Sequence, residues 1–175
     1  MIESGVIIVN KAKDMTSHDC VNIVRRALKI KRVGHTGTLD PMATGVLPLL
    51  FFNSTKAQSL LTDSSKEYIA EFKLGVTSDT LDIWGTIKEE KPVNISVSDI
   101  EKLLPDFTGD ILQLPPMYSA IKVGGRKLCD LARKGIEVER KSRTVEIYEI
   151  NVLDVKDEYF TIDVKCSKGT YIRTL

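Results

Sequence analysis

Apolar and polar positions along this chain change their period several times, and each change marks an element. Residues 5–10 form a short continuous apolar run, the pattern of a buried strand. Ser17 then stands at a capping position, and Cys20, Val24, Ala27 and Leu28 recur at helical spacing, which predicts a helix opened by Ser17. Residues 46–52 are apolar enough for either a central strand or a buried helical turn, after which Asn53 or Ser54 opens a short helix through Leu60 and Leu61. Tyr68, Ala70, Phe72 and Leu74 alternate with Ile69, Glu71 and Lys73, the period of a strand. Ser98, Asp99, Ile100 and Glu101 read as a capping box starting a helix that ends near Pro105. Residues 118–123 predict a strand ended by Gly124 and Gly125, and 126–134 a helix closed by Gly135. Residues 143–155 and 158–166 predict two strands of a hairpin turning at Lys156 and Asp157. Strands and helices are interspersed without a βαβ rhythm, so the fold class is α+β.

Composition narrows this only slightly. With 175 residues, 42% of them hydrophobic and 28% charged, the chain suits one globular domain with a real core. A formal net charge of +1 neither requires nor forbids a polyanionic partner, but its distribution is uneven. Lys11, Lys13, Arg25, Arg26, Lys29, Lys31 and Arg32 crowd the N-terminal fifth, and a second basic run extends from Lys122 to Arg143. Such runs form either solvated faces or a nucleic-acid footprint. Cys20, Cys129 and Cys166 are widely spaced, and His18 and His35 are the only histidines, so no metal site is expected. This cysteine usage predicts a reduced, cytoplasmic setting. Met1 to Ser4 reads as the lead into a strand rather than a signal peptide, and no apolar run has membrane-spanning length.

The chemistry concentrates between Val33 and Pro48, in Val-Gly-His-Thr-Gly-Thr-Leu-Asp-Pro-Met-Ala-Thr-Gly-Val-Leu-Pro. Its single carboxylate, Asp40, precedes Pro41, which biases it away from helical geometry and presents it from a stiff, extended loop. An imidazole, His35, lies five residues upstream. A phosphate-binding loop is a poor alternative, because the run lacks a Lys-Ser/Thr signature and metal-binding acids. Three further segments stand out: Lys66-Glu67-Tyr68, Gln113-Leu114-Pro115-Pro116-Met117-Tyr118-Ser119-Ala120-Ile121-Lys122, and Lys168-Gly169-Thr170-Tyr171-Ile172-Arg173-Thr174-Leu175.

These four ordered segments together resemble the TruB-type tRNA pseudouridine synthases, and the resemblance covers essentially the whole chain. It implies a pseudouridine synthase fold: a mixed, mostly antiparallel sheet with flanking helices and a central basic cleft. It implies the isomerisation of uridine 55 in the T arm of tRNA, in which the N1–C1′ bond breaks and the uracil rejoins through C5. That reaction is redox-neutral and transfers no phosphoryl group, so no cofactor is expected. By resemblance Asp40 is the catalytic carboxylate, serving as nucleophile or as an ion stabilising positive character at C1′. Attack on the sugar, attack on the base and assistance to a glycal path all remain open. Arg173 matches the family residue paired with that acid, Tyr68 the aromatic that stacks on the flipped uracil, and Tyr171 a second substrate-contacting aromatic. His35 matches the histidine that enters the space vacated in the RNA. Lys11 matches a lysine for which structural and RNA-facing roles are equally open. The expected partner is the tRNA T arm, with no membrane and no obligate protein partner. A non-catalytic tRNA-binding or tRNA-folding module on the same fold is the alternative.

Two departures from the family pattern stand out. Its first motif has the form Lys-Pro-x-Gly-x-Thr-Ser, where this chain has Lys11-Ala12-Lys13-Asp14-Met15-Thr16-Ser17. Asp14 therefore occupies a glycine position, and carries a steric cost if that position needs positive φ. Cys129 stands where an aromatic is usual. The resemblance also implies that residues 1–175 are a catalytic domain incomplete at the C-terminus, without a further strand and a PUA domain. The expectation is a short helix opening at Thr170, an open sheet edge and exposed apolar surface beside Tyr171 and Ile172, with self-association and weak activity as consequences.

Overall fold

The computed structural model describes residues 4–175, so the expectation for Met1 to Glu3 lies outside the described residues. The chain forms two compact units, Met1–Ser64 and Ser65–Leu175.

In the first unit, β1 (Ser4–Lys11), β2 (Val33–His35) and β3 (Gly45–Phe52) form an antiparallel sheet in the order β1-β3-β2. The apolar run 46–52 is therefore a central strand. Leu47, Leu49 and Phe51 alternate onto one face, where they meet Val33 together with Cys20 and Val21 of α1 (Ser17–Leu28). Gly5 lies opposite Phe51, and a Cβ there would stand 2.6 Å from the phenyl ring, so only glycine lets β1 pass this close. Helix α1 is capped by Thr16, not by Ser17: the Thr16 hydroxyl accepts from the Asp19 N–H at 3.1 Å, and Asp19 accepts from the Thr16 N–H at 2.8 Å. Ser17, one residue further on, has its hydroxyl committed to Leu39. A 3-10 turn, Asn53–Ala57, and α2 (Gln58–Thr62) close the unit, as the sequence predicts.

The second unit is built on an antiparallel sheet in the order β4-β11-β10-β7, with β4 at Lys66–Lys73, β7 at Gly109–Gln113, β10 at Arg143–Lys156 and β11 at Tyr159–Cys166. Its core is Ile147, Ile162, Val164 and Cys166, with Tyr68, Ala70, Phe72 and Phe160 packed against it. The predicted hairpin is present, with Asp157 taking the positive φ (54°) that its tight turn requires. Two bulges in β10 fit its residues 147–156 to the 8 of β11, while residues 143–147 pair with β7. Small hairpins flank the sheet: β5 (Val76–Ser78) with β6 (Ile87–Glu90), and β8 (Lys122–Val123) with β9 (Arg126–Lys127). Every strand pairing among the described residues is antiparallel, and helices are interspersed, so α+β holds.

Several boundaries move. Helix α3 (Val97–Leu103) is capped at Ser96 rather than Ser98, because Asp99 accepts from both the N–H and the hydroxyl of Ser96. The strand expected over 118–123 survives only at Lys122–Val123: the carbonyls of Tyr118 and Ser119 are taken by Arg173 and by the Cys129 N–H, leaving no ladder for them to join. The helix expected from Arg126 shortens to α4 (Leu128–Ala132), since Arg126 and Lys127 pair across Gly124 and Gly125. The expected C-terminal helix is a 3-10 turn, Ile172–Thr174. Ile172 and Leu175 pack half-buried against the second core.

Candidate active site

The loop carrying Asp40 connects β2 to β3 and is held by its neighbours on both sides. On one side the buried hydroxyl of Ser17 accepts the Leu39 N–H at 2.9 Å. On the other, the Pro41 carbonyl accepts both the Lys11 ammonium at 3.1 Å and the Asp14 N–H at 2.9 Å. The Ala43 N–H closes a turn onto the Asp40 carbonyl at 3.0 Å. Asp40 itself is half-buried. The backbone on either side of it is thus fixed by groups from β1, from the loop after it and from α1.

Lys11 is the anchor of this arrangement. It is fully buried, and its three donors go to the carbonyls of Ala12 (2.9 Å), Met15 (2.7 Å) and Pro41 (3.1 Å). Of the two roles open to it, this geometry supports the structural one; with no accessible surface its ammonium does not face an RNA. The loop it organises has Asp14 at φ 64°, the left-handed conformation anticipated from the glycine position. His35, the last residue of β2, is half-buried. Burial pushes its imidazole below the ordinary histidine value, against a hydrogen bond with the Gly37 backbone that favours protonation, so the neutral ring is preferred.

In the second unit, Tyr68 lies on β4 opposite Val164 of β11 and packs on the core while remaining half-exposed. Tyr171 and Arg173 sit at and within the last 3-10 turn. One guanidinium nitrogen of Arg173 donates to the Tyr118 carbonyl at 2.6 Å, and the other lies 3.5 Å from the Asp82 carboxylate. Both partners of this ion pair are well covered, with side chains 13% and 14% exposed. The guanidinium also stands 6.0 Å from the centroid of the Tyr171 ring, within cation–π range.

Asp82 is a residue that the sequence reading missed. It lies in the loop joining β5 to β6, where its second oxygen accepts from the Thr80 hydroxyl (2.6 Å) and the Trp84 N–H (3.0 Å). The only available signal was the polar turn Ser78-Asp79-Thr80, followed by Asp82 and Gly85, between two weakly patterned strands. Ser17 as a loop clamp was missed too, because its position reads as a helix cap.

Comparison with known proteins shows the family to which the chain belongs. The sequence profile of the TruB family pseudouridylate synthase (N terminal domain) matches residues 25–172. Tyr68, Asp40, His35 and Tyr171 all lie inside that match. Over 172 residues the chain is 49% identical to a tRNA pseudouridine synthase B of Alkaliphilus oremlandii, covering 98% of this chain and 58% of that protein. It is 51% identical over 173 residues to the protein of the same name from Clostridium tetani, covering 98% and 60% respectively. The chain thus spans about three-fifths of the length of the curated relatives it matches. Among solved structures, a chain of a Cbf5-Nop10-Gar1 complex superposes with a TM-score of 0.75 at 29% identity, over 99% of this chain and 42% of that one. With a profile match across most of its length and relatives near half identity, this chain belongs to the TruB family of pseudouridylate synthases.

Proposed function

We propose that residues 1–175 are a catalytic domain that converts uridine 55 of the tRNA T arm to pseudouridine. The observation that carries this reading is Asp40: one carboxylate on a loop clamped at both neighbouring residues, in a chain about half identical to proteins named tRNA pseudouridine synthase B. Asp40 acts at the sugar, at the base or by assisting a glycal path to release N1 from C1′, and the uracil turns and reattaches through C5. Arg173 is, by the family resemblance, the cation that keeps the acid ionised, and Asp82 and the Tyr118 carbonyl hold its guanidinium. Tyr68 stacks on the extruded uracil, recovering about 1–3 kcal/mol of the stacking lost on flipping. Tyr171 lines the same pocket, His35 fills the place the base leaves, and Lys11 holds the acid loop rather than the RNA. A cytoplasmic location accords with a tRNA substrate, and among the described residues no helix is long and apolar enough to cross a membrane.

Tritium release from C5-labelled T-arm RNA tests the proposal directly. Label should be lost to solvent in step with pseudouridine formation. RNA binding with no release would favour the non-catalytic module instead.

A further inference from the structure

The carboxamide of Gln113 does something its place at the end of β7 does not require. Its Oε1 accepts the Tyr171 N–H at 2.8 Å, and its Nε2 donates to the Tyr171 carbonyl at 3.1 Å. The side chain is 5% exposed, and the two residues are 58 apart in sequence. Tyr171 has extended dihedrals, φ −101° and ψ 105°, the conformation of a strand residue. A carboxamide carries the same donor and acceptor as a peptide group, so Gln113 supplies one rung of a β-ladder where no strand is present.

That rung lies at a critical point. The backbone of Tyr171 leads straight into the turn that carries Arg173, and its carbonyl also accepts from the N–H groups of Thr174 and Leu175. The guanidinium of Arg173 is held by Tyr118, five residues beyond Gln113 on the same segment. One stretch of chain thus grips the arginine at its backbone origin and at its charged end. We propose that Gln113 is a positioning residue of the active site, fixing the Tyr171 backbone so that the Tyr171 ring and the Arg173 guanidinium are presented in register. The role rests on the functional reading given above, but the geometry it describes does not.

No other side chain satisfies both bonds at this distance under neutral conditions. Asparagine is one methylene short, and methionine keeps the volume while losing both bonds. Glutamate keeps the acceptor, but when ionised it has no donor for the carbonyl. Protonated glutamate restores both, its O–H replacing the N–H of the amide.

The test compares single-turnover rates at saturating T-arm RNA with RNA affinity and thermal stability. Gln113→Met should lower the rate about 10–100-fold while the RNA dissociation constant stays within about threefold, since a displaced group costs the chemical step more than binding. Gln113→Glu should be impaired at about pH 8 and regain activity towards about pH 5.5, an acid-side rescue absent from the unsubstituted protein, because burial favours the protonated carboxyl. A folded Gln113→Met or Gln113→Glu variant with the unsubstituted rate at both pH values would overturn the proposal. If the protein does not convert T-arm RNA at all, the functional reading fails, and NMR decides for Gln113. A shift of the Arg173 Nε–H resonance in either variant supports positioning, and an unmoved resonance overturns it.

Discussion

The two units hold their key side chains in opposite ways. In Met1–Ser64, the acid loop is secured through the backbone of Leu39 and Pro41, by Ser17, Lys11 and Asp14. In Ser65–Leu175, the arginine is gripped at the guanidinium itself by Asp82 and Tyr118, and its chain is tied down by Gln113. A clamp on neighbouring backbone fixes where a carboxylate starts. A clamp on the charged group fixes its direction and charge environment.

The sharpest way to break this contrast is at the reacting group. Asp40→Asn keeps shape and the flanking clamps but removes the nucleophile, so turnover on T-arm RNA should fall by at least about three orders of magnitude with RNA binding nearly intact. Substantial residual tritium release would sink the assignment of Asp40.

Next in size is the orienting group. Asp82→Ala removes one charged contact from a well-covered guanidinium, a loss on the order of 1–2 kcal/mol. Urea unfolding measures it, and the emission of Trp84, the sole tryptophan, reports the loop, since its backbone N–H bonds to Asp82. An unchanged midpoint and an unchanged spectrum would show that Asp82 is not a clamp.

Lys11→Met should act on stability more than on RNA affinity. It takes a charged donor from the carbonyls of Ala12, Met15 and Pro41, the last of which keeps the Asp14 N–H, each bond being worth about 1 kcal/mol or more where water cannot replace it. A folded variant of unaltered stability but weakened RNA binding would return Lys11 to an RNA-facing role.

The smallest effect sharpens the comparison from the opposite direction. Asp14 holds φ 64° while its N–H binds Pro41, so Asp14→Gly relieves left-handed strain without losing the bond. We expect a gain of roughly 0.5–1 kcal/mol in unfolding free energy with the rate unchanged. A destabilised glycine variant would mean that the aspartate side chain supports the loop in some other way.

What could be read from the residues alone was local. The period-two alternation of 68–74 and the hairpin at Lys156 and Asp157 became β4, β10 and β11, because burial on one sheet face repeats every second residue. The candidate acid was legible because four ordered segments resemble one family; a carboxylate before proline is by itself more often a turn residue. The left-handed Asp14 was legible from the motif position it shares with glycine. Caps slipped by one or two residues, Ser17 to Thr16 and Ser98 to Ser96, because several adjacent hydroxyls can fill the same role and only the surrounding packing selects one.

The long-range partnerships belonged to tertiary structure. Asp82 meets Arg173 across 91 residues, Gln113 meets Tyr171 across 58, and Lys11 meets Pro41 across 30. Spacing carries no information about such pairs, since loop closure costs only slightly more for a long loop than for a short one, and the folded chain decides which loops close. Sequence determined most of the elements, the candidate acid and the family; the fold decided which buried donors and acceptors would hold the acid loop and the arginine in place.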